Sequence, residues 1–387
     1  MAPVVRALRA NGCCGVTLCA TGQHQEMTAG LLEVFDLVPD VTLDILVRGQ
    51  TLNQLASRLL TQMDQLLESQ RPDLVLVQGD TTTSMITALA AFHRNVAVGH
   101  VEAGLRTYDL QSPWPEEANR QLVSRIAALH FAPTARSRDN LLREGVRTES
   151  VFVTGNTVVD ALLHVRAHLR DHPVDVPGLP PDWRTMWHGR PIVLITSHRR
   201  ESFHGGLEAV FTAIVELARR FPEALFVYPV HLNPTVRSAV AAVLRGASTE
   251  LRNILLIEPL GYLPFVTLMD AATILLTDSG GLQEEGPSLG KPVLVTRAVT
   301  ERPEVVEAGA AVLVGTDTAT IISETASLLT DPARRHAMQV QENPVGDGLA
   351  AGRIAAVCQA ALCGADLSAC LVGVAHNGRQ RSDGPAA

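Results

Sequence analysis

Short, almost continuously apolar runs alternate with amphipathic stretches along most of the chain. Runs such as Ile192–Thr196 and Ile274–Thr277 are rich in leucine and β-branched residues, whereas Thr51–Glu68 and Gly206–Arg220 repeat apolar residues at helical spacing. Strands that are apolar on both faces and separated by helices indicate parallel sheets covered on both sides. The chain is therefore predicted to be an α/β protein built from doubly wound, Rossmann-like sheets.

The length of the chain predicts two domains, because 387 residues exceed the usual size of one compact domain. Five prolines and no helical periodicity between residues 171 and 191 indicate a linker. We predict an N-terminal domain at 1–170, a linker at 171–190, a C-terminal domain at 191–365 and a disordered tail at 366–387. Two such domains facing each other predict a ligand-binding cleft at the carboxyl ends of their strands.

Composition and charge narrow the function classes. The net charge of −8 argues against a general nucleic-acid binder. No apolar run reaches the roughly 18–20 residues of a membrane helix, and the start shows no signal peptide, so we expect a cytoplasmic protein without membrane association. The six cysteines form no C-x-x-C pair, which predicts reduced thiols and no metal site.

Acidic residues follow two predicted strands of the first domain. Asp80 comes after the run LVLVQ, Glu102 follows NVAVGHV, and Glu116 opens the next helix. A helix cap would also explain Asp80, and acids are common in a first helical turn. Glu102 has neither explanation. Three acids at one sheet edge would repel one another unless the site handles protons or cations, so caps and an acid/base site both remain open at this point.

Residues that could bind an anion follow two predicted strands of the second domain. The run HRR at 198–200 offers potential cations, although such runs are also common in solvated turns. In DSGGLQEE, at 278–285, two glycines between strand and helix form either a simple turn or a close approach to a diphosphate. The run is neither G-x-G-x-x-G nor a Walker loop. The residues alone predict an enzyme acting on a sugar or acyl group attached to a nucleoside diphosphate.

Several motifs together resemble the non-hydrolysing UDP-N-acetylglucosamine 2-epimerases of bacteria, in order from about residue 1 to 362. They are TGQHQEM (21–27), QGDTTTS (78–84), GHVEAGLRT (99–107), SPWPEEANR (112–120), SHRRESF (197–203), DSGGLQEEGPSLGKPVLV (278–295) and TERPEVVEAG (300–309). The resemblance implies the two-domain glycosyltransferase-B fold, a homodimer and no cofactor. It also implies interconversion of UDP-GlcNAc and UDP-ManNAc by elimination and re-addition of UDP through a 2-acetamidoglucal.

The resemblance also assigns residues to sites. Asp80, Glu102 and Glu116 match the family's acid/base carboxylates, and His198 matches its catalytic histidine. The positions matching the UDP site are Phe265, Ser279, Gly280, Gly281, Glu285 and Arg302. A second UDP-GlcNAc, acting as an allosteric activator, would contact Gln23, Glu26, Arg199 and His231. Which carboxylate removes the proton and which returns it stays open.

The start of the chain departs from the family pattern. Members of the family have a strand and a G-T-R-P-E loop ahead of the helix in which this chain begins. Losing a central strand would expose two unpaired sheet edges. We therefore expect low stability and weak activity from the chain as it stands, and a gain in activity on adding roughly 20 upstream codons, about one strand and one loop.

Three other functions remain possible from the sequence. An inverting glycosyltransferase of the same fold would need an acceptor groove and a single base. A hydrolysing epimerase would release ManNAc and UDP, and a non-catalytic UDP-sugar-binding protein would bind without reaction. Deuterium exchange at C-2 of UDP-GlcNAc in D₂O distinguishes the non-hydrolysing epimerase from the first and the last of these.

Overall fold

The computed structural model describes residues 1–22, 30, 32–47, 49–197, 205–339, 343–365 and 367. The chain divides into two compact units. Unit 1 comprises Met1–Asp160 with Gly348–Ala387, and unit 2 comprises Ala161–Asp347. These boundaries differ from the predicted ones, because the predicted linker belongs to unit 2 and the segment from residue 348 belongs to unit 1. The predicted tail at 366–387 lies outside the described residues apart from Leu367.

The described elements alternate as the sequence pattern predicts. Those of unit 1 are α1 (Ala2–Asn11), β1 (Cys19–Ala20), β2 (Val41–Thr42), α2 (Leu52–Gln70), β3 (Leu74–Gln78), α3 (Thr82–His93), β4 (Ala97–Val101), α4 (Glu116–Ile126), β5 (Leu129–Ala132), α5 (Ala135–Arg143), a 3₁₀ turn (Thr148–Ser150) and β6 (Val151–Val153). Helix α6 (Thr157–Asp171) spans the boundary in sequence.

Unit 2 and the return to unit 1 complete the chain. The elements are α7 (Trp183–Met186), β7 (Ile192–Thr196), α8 (Gly206–Arg220), β8 (Leu225–Pro229), α9 (Pro234–Glu250), β9 (Ile254–Ile257), α10 (Tyr262–Ala271), β10 (Ile274–Thr277), α11 (Gly280–Ser288), β11 (Val293–Val295), α12 (Pro303–Glu307), β12 (Ala311–Leu313), α13 (Thr318–Thr330), α14 (Pro332–Ala337) and α15 (Ala350–Leu362). None of the helices in the described ranges combines the length and the apolar character of a membrane span.

Every described strand pair is parallel. Unit 2 holds a six-stranded sheet in the order β12-β11-β10-β7-β8-β9, and unit 1 holds a four-stranded sheet, β3-β4-β5-β6, and a two-stranded one, β1-β2. In unit 2, Val193 pairs with Ile274, and both are fully buried in one cluster with Leu207 and Phe211 of α8. Burial of both sheet faces explains why these strands are almost wholly apolar. The predicted α/β class with parallel, helix-covered sheets is confirmed.

Helix α15 belongs to unit 1 because its apolar face packs there. Val4 and Leu8 of α1 share a buried cluster with Ile354 of α15. The Asp160 carboxylate accepts a hydrogen bond from the backbone N–H of Ala351 at 2.8 Å, which anchors the start of α15. The prolines before residue 191 indicate a linker, but nothing in the composition indicates that the chain returns to unit 1 at residue 348.

A groove of about 1120 Å³ is lined by both sheets of unit 1. Its walls include strand β3, the segment 16–19 that leads into β1, and residues of α1, α2 and α15. Within the described ranges, β3 pairs only with β4 and β1 pairs only with β2. The groove therefore lies between two strand edges that have no partner among the described strands. The expectation of a missing strand stays a prediction.

Candidate functional site

Asp80 lies two residues after β3, where helix α4 holds it. Its Oδ2 accepts a hydrogen bond from Arg120 Nη2 at 2.5 Å, and its backbone oxygen accepts one from Asn119 Nδ2 at 2.9 Å. The cap of α3 is the next residue, because Thr81 Oγ1 accepts from the N–H of Ser84 at 3.2 Å. The capping role considered for Asp80 is thus taken by Thr81, and the Asp80 carboxylate is oriented by a buried guanidinium.

Glu102 directly follows β4 and adopts an unusual backbone conformation. Its φ of +65° lies in the left-handed region, which few residues other than glycine occupy. Asn156 Nδ2 donates to Glu102 Oε1 at 3.2 Å. A Cβ at Gly79 would stand only 3.2 Å from Glu102 Oε2, so the glycine leaves room for the carboxylate. Such strained positions cluster at functional sites. Because β3 and β4 pair along their length, Asp80 and Glu102 follow the same sheet edge.

Two adjacent glutamates at the start of α4 have different environments. Glu116 is the first residue of the helix and is half-buried. Glu117 is fully buried, and its Oε2 accepts from the N–H of Thr107 at 3.0 Å while its Oε1 accepts from that of Tyr108 at 3.1 Å. Gln121 Nε2 also donates to Glu117 Oε1, at 2.7 Å. Glu117 therefore fixes the loop before the helix, and Glu116 is the one of the two that the sequence predicts as an acid/base residue.

This contrast predicts that the same substitution will lower stability at one of these positions and turnover at the other. Glu117→Gln replaces an acceptor oxygen with a donor amide facing backbone N–H groups, so we expect the free energy of unfolding to fall by about 2 kcal/mol. Glu116→Gln should change it by less than about 0.5 kcal/mol while lowering turnover. Urea unfolding and an activity assay on both variants measure this. Equal loss of stability in the two variants would contradict the assignment.

The start of helix α11 in unit 2 is suited to an anion. Helix α11 begins directly after β10 and Asp278-Ser279, and no described side chain caps it. A Cβ at Gly280 would stand 2.7 Å from Arg302 Nη1, so the glycine allows a guanidinium to lie against the helix start. At Gly281 the nearest atom to such a Cβ is Ser279 Oγ at 3.9 Å, which leaves the second position open. Uncapped N–H groups beside a guanidinium form an anion-binding arrangement.

Consecutive glutamates of α11 have different partners. Glu284 Oε1 accepts from Arg302 Nε at 2.5 Å. Glu285 Oε1 accepts from Tyr262 Oη at 3.1 Å, and burial raises the pKa of Glu285 to about 7, against the effect of the Tyr262 hydrogen bond. Phe265 lies one helical turn after Tyr262 on α10. The structure therefore brings four of the predicted UDP-site positions, 279–281 and 302, together at the start of α11, and it places Glu285 in the next turn of that helix.

Four of the predicted site residues belong to segments outside the described ranges. His198, Arg199, Gln23 and Glu26 lie outside the described residues. His231 is described and exposed after β8, and its Nδ1 accepts a hydrogen bond from the backbone N–H of Asn233 at 3.1 Å.

Across the described ranges, no group of three or more His, Cys, Asp or Glu side chains is arranged to hold a metal ion.

Comparisons with known proteins identify the family. The sequence model of the UDP-N-acetylglucosamine 2-epimerases matches residues 6–359. The chain belongs to the UDP-N-acetylglucosamine 2-epimerase family. It is 50% identical over 354 residues to the UDP-N-acetylglucosamine 2-epimerase of Yersinia pestis, covering 92% of this chain and 93% of the relative. It is 48% identical to that of Escherichia coli K12 over 354 residues, covering 92% and 93% of the two chains.

Solved structures of epimerases show the same fold. The UDP-GlcNAc 2-epimerase of Neisseria meningitidis, bound to UDP-GlcNAc, aligns with a TM-score of 0.83 and 42% identity, over 92% of this chain and 95% of that one. The enzyme of Methanocaldococcus jannaschii, in complex with UDP-GlcNAc and UDP, aligns with a TM-score of 0.74 and 32% identity, over 92% and 95%. The predicted family and the predicted glycosyltransferase-B class of fold are confirmed.

Proposed function

We propose that this epimerase-family chain interconverts UDP-GlcNAc and UDP-ManNAc without hydrolysis and without a redox cofactor. The observation that carries the proposal is the pair of carboxylates at one sheet edge of unit 1, Asp80 and Glu102. Arg120 and Asn156 hold them in fixed orientations. The named activity of relatives about 50% identical over nearly the whole chain supports the choice of substrate.

The proposed reaction begins with elimination. The hydrogen on C-2 of the sugar is not beside a carbonyl, so its removal must accompany loss of the leaving group. A carboxylate takes the C-2 proton, the electrons of the C–H bond form the C-1=C-2 double bond, and the C-1–O bond breaks with its electron pair leaving on UDP. The product is 2-acetamidoglucal plus UDP. General base catalysis of this kind contributes on the order of 10²–10⁴ in rate.

Re-addition inverts C-2. A carboxylic acid delivers a proton to C-2 from the opposite face of the double bond, and the diphosphate oxygen forms the bond to C-1 again. Atoms and electrons balance without any other reactant. Asp80, Glu102 and Glu116 supply the acid and base groups, and His198 assists the departing diphosphate.

Unit 2 supplies the UDP-binding groups. The open N–H groups at Gly280 and Gly281, with Ser279 and Arg302, hold the diphosphate. Glu285 accepts hydroxyl groups of the ribose, and Phe265 lies by the uracil. The uncapped helix start with Arg302 against it supports the diphosphate assignment.

Regulation and assembly follow the family pattern in this proposal. A second UDP-GlcNAc activates the enzyme through Gln23, Glu26, Arg199 and His231, and the chain works in the cytoplasm as a homodimer. The resemblance of the motifs supports these assignments. Sedimentation and a plot of rate against UDP-GlcNAc concentration test them: a dimer with a sigmoidal plot is expected, and a monomer with a hyperbolic plot would contradict them.

Product analysis tests the proposed reaction. Incubated with UDP-GlcNAc alone, the protein should yield an equilibrium mixture with UDP-ManNAc by ¹H NMR of the anomeric protons, with no accumulation of free ManNAc. Stoichiometric free ManNAc and UDP would indicate a hydrolysing enzyme instead. An unchanged substrate spectrum would overturn the proposal.

A further inference from the structure

Tyr262 connects helix α10 to helix α11 at the nucleotide end of the proposed site. Its hydroxyl donates to Glu285 Oε1 at 3.1 Å across 23 residues of sequence. Glu285 is 7% exposed, and Tyr262 is half-buried at the first position of its helix. The contact is a tertiary one, made where both side chains are largely removed from water.

The arrangement of charges around Glu285 makes the Tyr262 hydroxyl the group that stabilises its carboxylate. Its sequence neighbour Glu284 is paired with Arg302 from the start of α12, and Arg302 also lies within 4 Å of the neighbouring Glu301. Within the described residues no cation pairs with Glu285 itself. The Tyr262 hydroxyl is thus the neutral donor that stabilises a buried carboxylate without a counter-ion.

We propose that Tyr262 is a positioning residue for nucleotide recognition, orienting the Glu285 carboxylate through Oε1 so that its other oxygen accepts a ribose hydroxyl. The inference rests on the proposed function, which places the ribose at Glu285. Tyr262 acts through Glu285 and need not touch the nucleotide. Its removal would leave the carboxylate buried without its side-chain donor and free to rotate.

The role has a consequence for the pH dependence of binding. Burial and the charge of Glu284 raise the pKa of Glu285, while the Tyr262 hydrogen bond lowers it, with a balance at about 7. The pKa of Tyr262 is itself raised by burial, so its hydroxyl keeps its proton. The anionic form of Glu285 is the better acceptor for a ribose hydroxyl. Affinity for the nucleotide should therefore rise with pH through about 7 and level off above it.

Calorimetric titration with UDP-GlcNAc from about pH 5.5 to about pH 9 tests the inference. This ligand suits the test because both ends of its diphosphate are esterified and no phosphate titrates in that range. Tyr262→Phe should lose about tenfold in affinity near pH 7, because the midpoint moves to higher pH, and should approach wild type at the alkaline end. Tyr108→Phe is the matched control, since Tyr108 is half-exposed and donates to Asn140 in unit 1. Its profile should match wild type.

A ligand-free measurement separates this inference from the proposed function. The ¹³C chemical shift of the Glu285 carboxyl, assigned with Glu285→Gln, should titrate at higher pH in Tyr262→Phe than in wild type. A loss of affinity that is equal at every pH, with an unchanged carboxyl titration, would overturn the positioning role. A shifted titration with a wild-type binding profile would show that the ribose does not meet Glu285, which overturns the inference and the UDP-site assignment together.

Discussion

An apolar strand joined to the amino group of Met1 is expected to raise the melting temperature of this protein by about 10 °C. Burying five or six apolar side chains contributes about 1.5–3 kcal/mol each, and ordering their backbone costs about 1–2 kcal/mol per residue. A net gain of about 3 kcal/mol corresponds to about 10 °C for a unit of this size. The groove in unit 1 is where this strand should bind.

The β1 edge of the groove has unused backbone groups. Successive residues of a strand direct their N–H and C=O groups to alternate sides. The oxygens of Leu18 and Ala20 accept hydrogen bonds from the β2 side, at 3.2 Å from the N–H of Val41 and 2.8 Å from that of Leu43. The backbone groups of Cys19 therefore face the other way, toward the groove that this residue lines.

The β3 edge faces the same groove in the same sense. Just past the end of β3, Gly79 N donates to the oxygen of Val101 on the β4 side, at 3.0 Å. By alternation, the backbone groups of Leu74 and Leu76 point away from β4, and both residues line the groove. A strand parallel to β1 and β3 could bond to both edges and join the two sheets of unit 1.

Both faces of such a strand would meet apolar side chains. Val5 and Cys358, from α1 and α15, line the groove together with Met63 and Leu67 of α2. A strand buried on both faces is apolar at every position. The inserted segment should therefore be a continuous apolar run of five or six residues rather than an alternating one.

The amino group of Met1 lies where the inserted strand would end. It donates to Gln78 Oε1 at 2.5 Å, at the carboxyl end of β3, and burial lowers its pKa to about 6. A strand parallel to β3 would end nearby, so a short loop could join it to Met1, and α1 would then form the crossover to β1. Converting the amine to an amide also removes a buried ionisable group, which adds to the expected gain.

Two extensions of equal length and the same loop test the prediction. One carries a run of valine, isoleucine and leucine, and the matched control carries serine and asparagine at those positions. Thermal unfolding should show the gain for the first only, with higher epimerase activity. Thiol labelling gives a second readout, because the partly exposed Cys19 lines the groove and should react more slowly when the groove is filled. Equal melting temperatures and equal labelling rates for both extensions would contradict the groove's assignment.

Glu102→Gln should lower the rate of epimerisation by about 10³-fold while leaving UDP-GlcNAc binding within about threefold of wild type. The substitution is nearly isosteric, so the hydrogen bond from Asn156 and the space beside Gly79 can be retained. The amide cannot accept or deliver the C-2 proton. The residues proposed to bind UDP belong to unit 2 and are not altered by this substitution.

A matched variant keeps this prediction specific. Glu149→Gln makes the same chemical change at an exposed position of the 3₁₀ turn in the same unit, and its activity should equal that of wild type. Turnover is measured by NMR and binding by calorimetry. A Glu102→Gln enzyme with wild-type turnover would remove Glu102 from the acid/base machinery. A parallel loss of binding and melting temperature would show a structural role instead.

Two strands that are apolar at nearly every position match the sequence prediction to the residue. Ile192–Thr196 and Ile274–Thr277 have the predicted bounds in the structure, because central strands in parallel sheets must be apolar on both faces. Leu129–Ala132 was missed, since it is short and contains His130, which is buried with its Nε2 within 3.1 Å of the oxygen of Ser124. In the run at 16–20, only Cys19–Ala20 pairs with β2.

The carboxylates of the candidate site could be found from sequence, but most of the side chains that hold them could not. Asp80 and Glu102 follow strands, which is a readable signal. Arg120 was missed, although its spacing of four residues from Glu116 on α4 places both on one helix face. Asn156 contacts Glu102 and Tyr262 contacts Glu285 across long sequence separations, and only the folded chain brings these pairs together.

Hydrogen exchange at C-2 tests the central claim most directly. UDP-GlcNAc incubated with the protein in D₂O, with no acceptor and no cofactor added, should acquire deuterium at C-2 in both UDP-GlcNAc and UDP-ManNAc, seen as loss of the H-2 signal by ¹H NMR. Binding of UDP-GlcNAc by the folded protein, with H-2 fully retained, would contradict the elimination and re-addition of UDP.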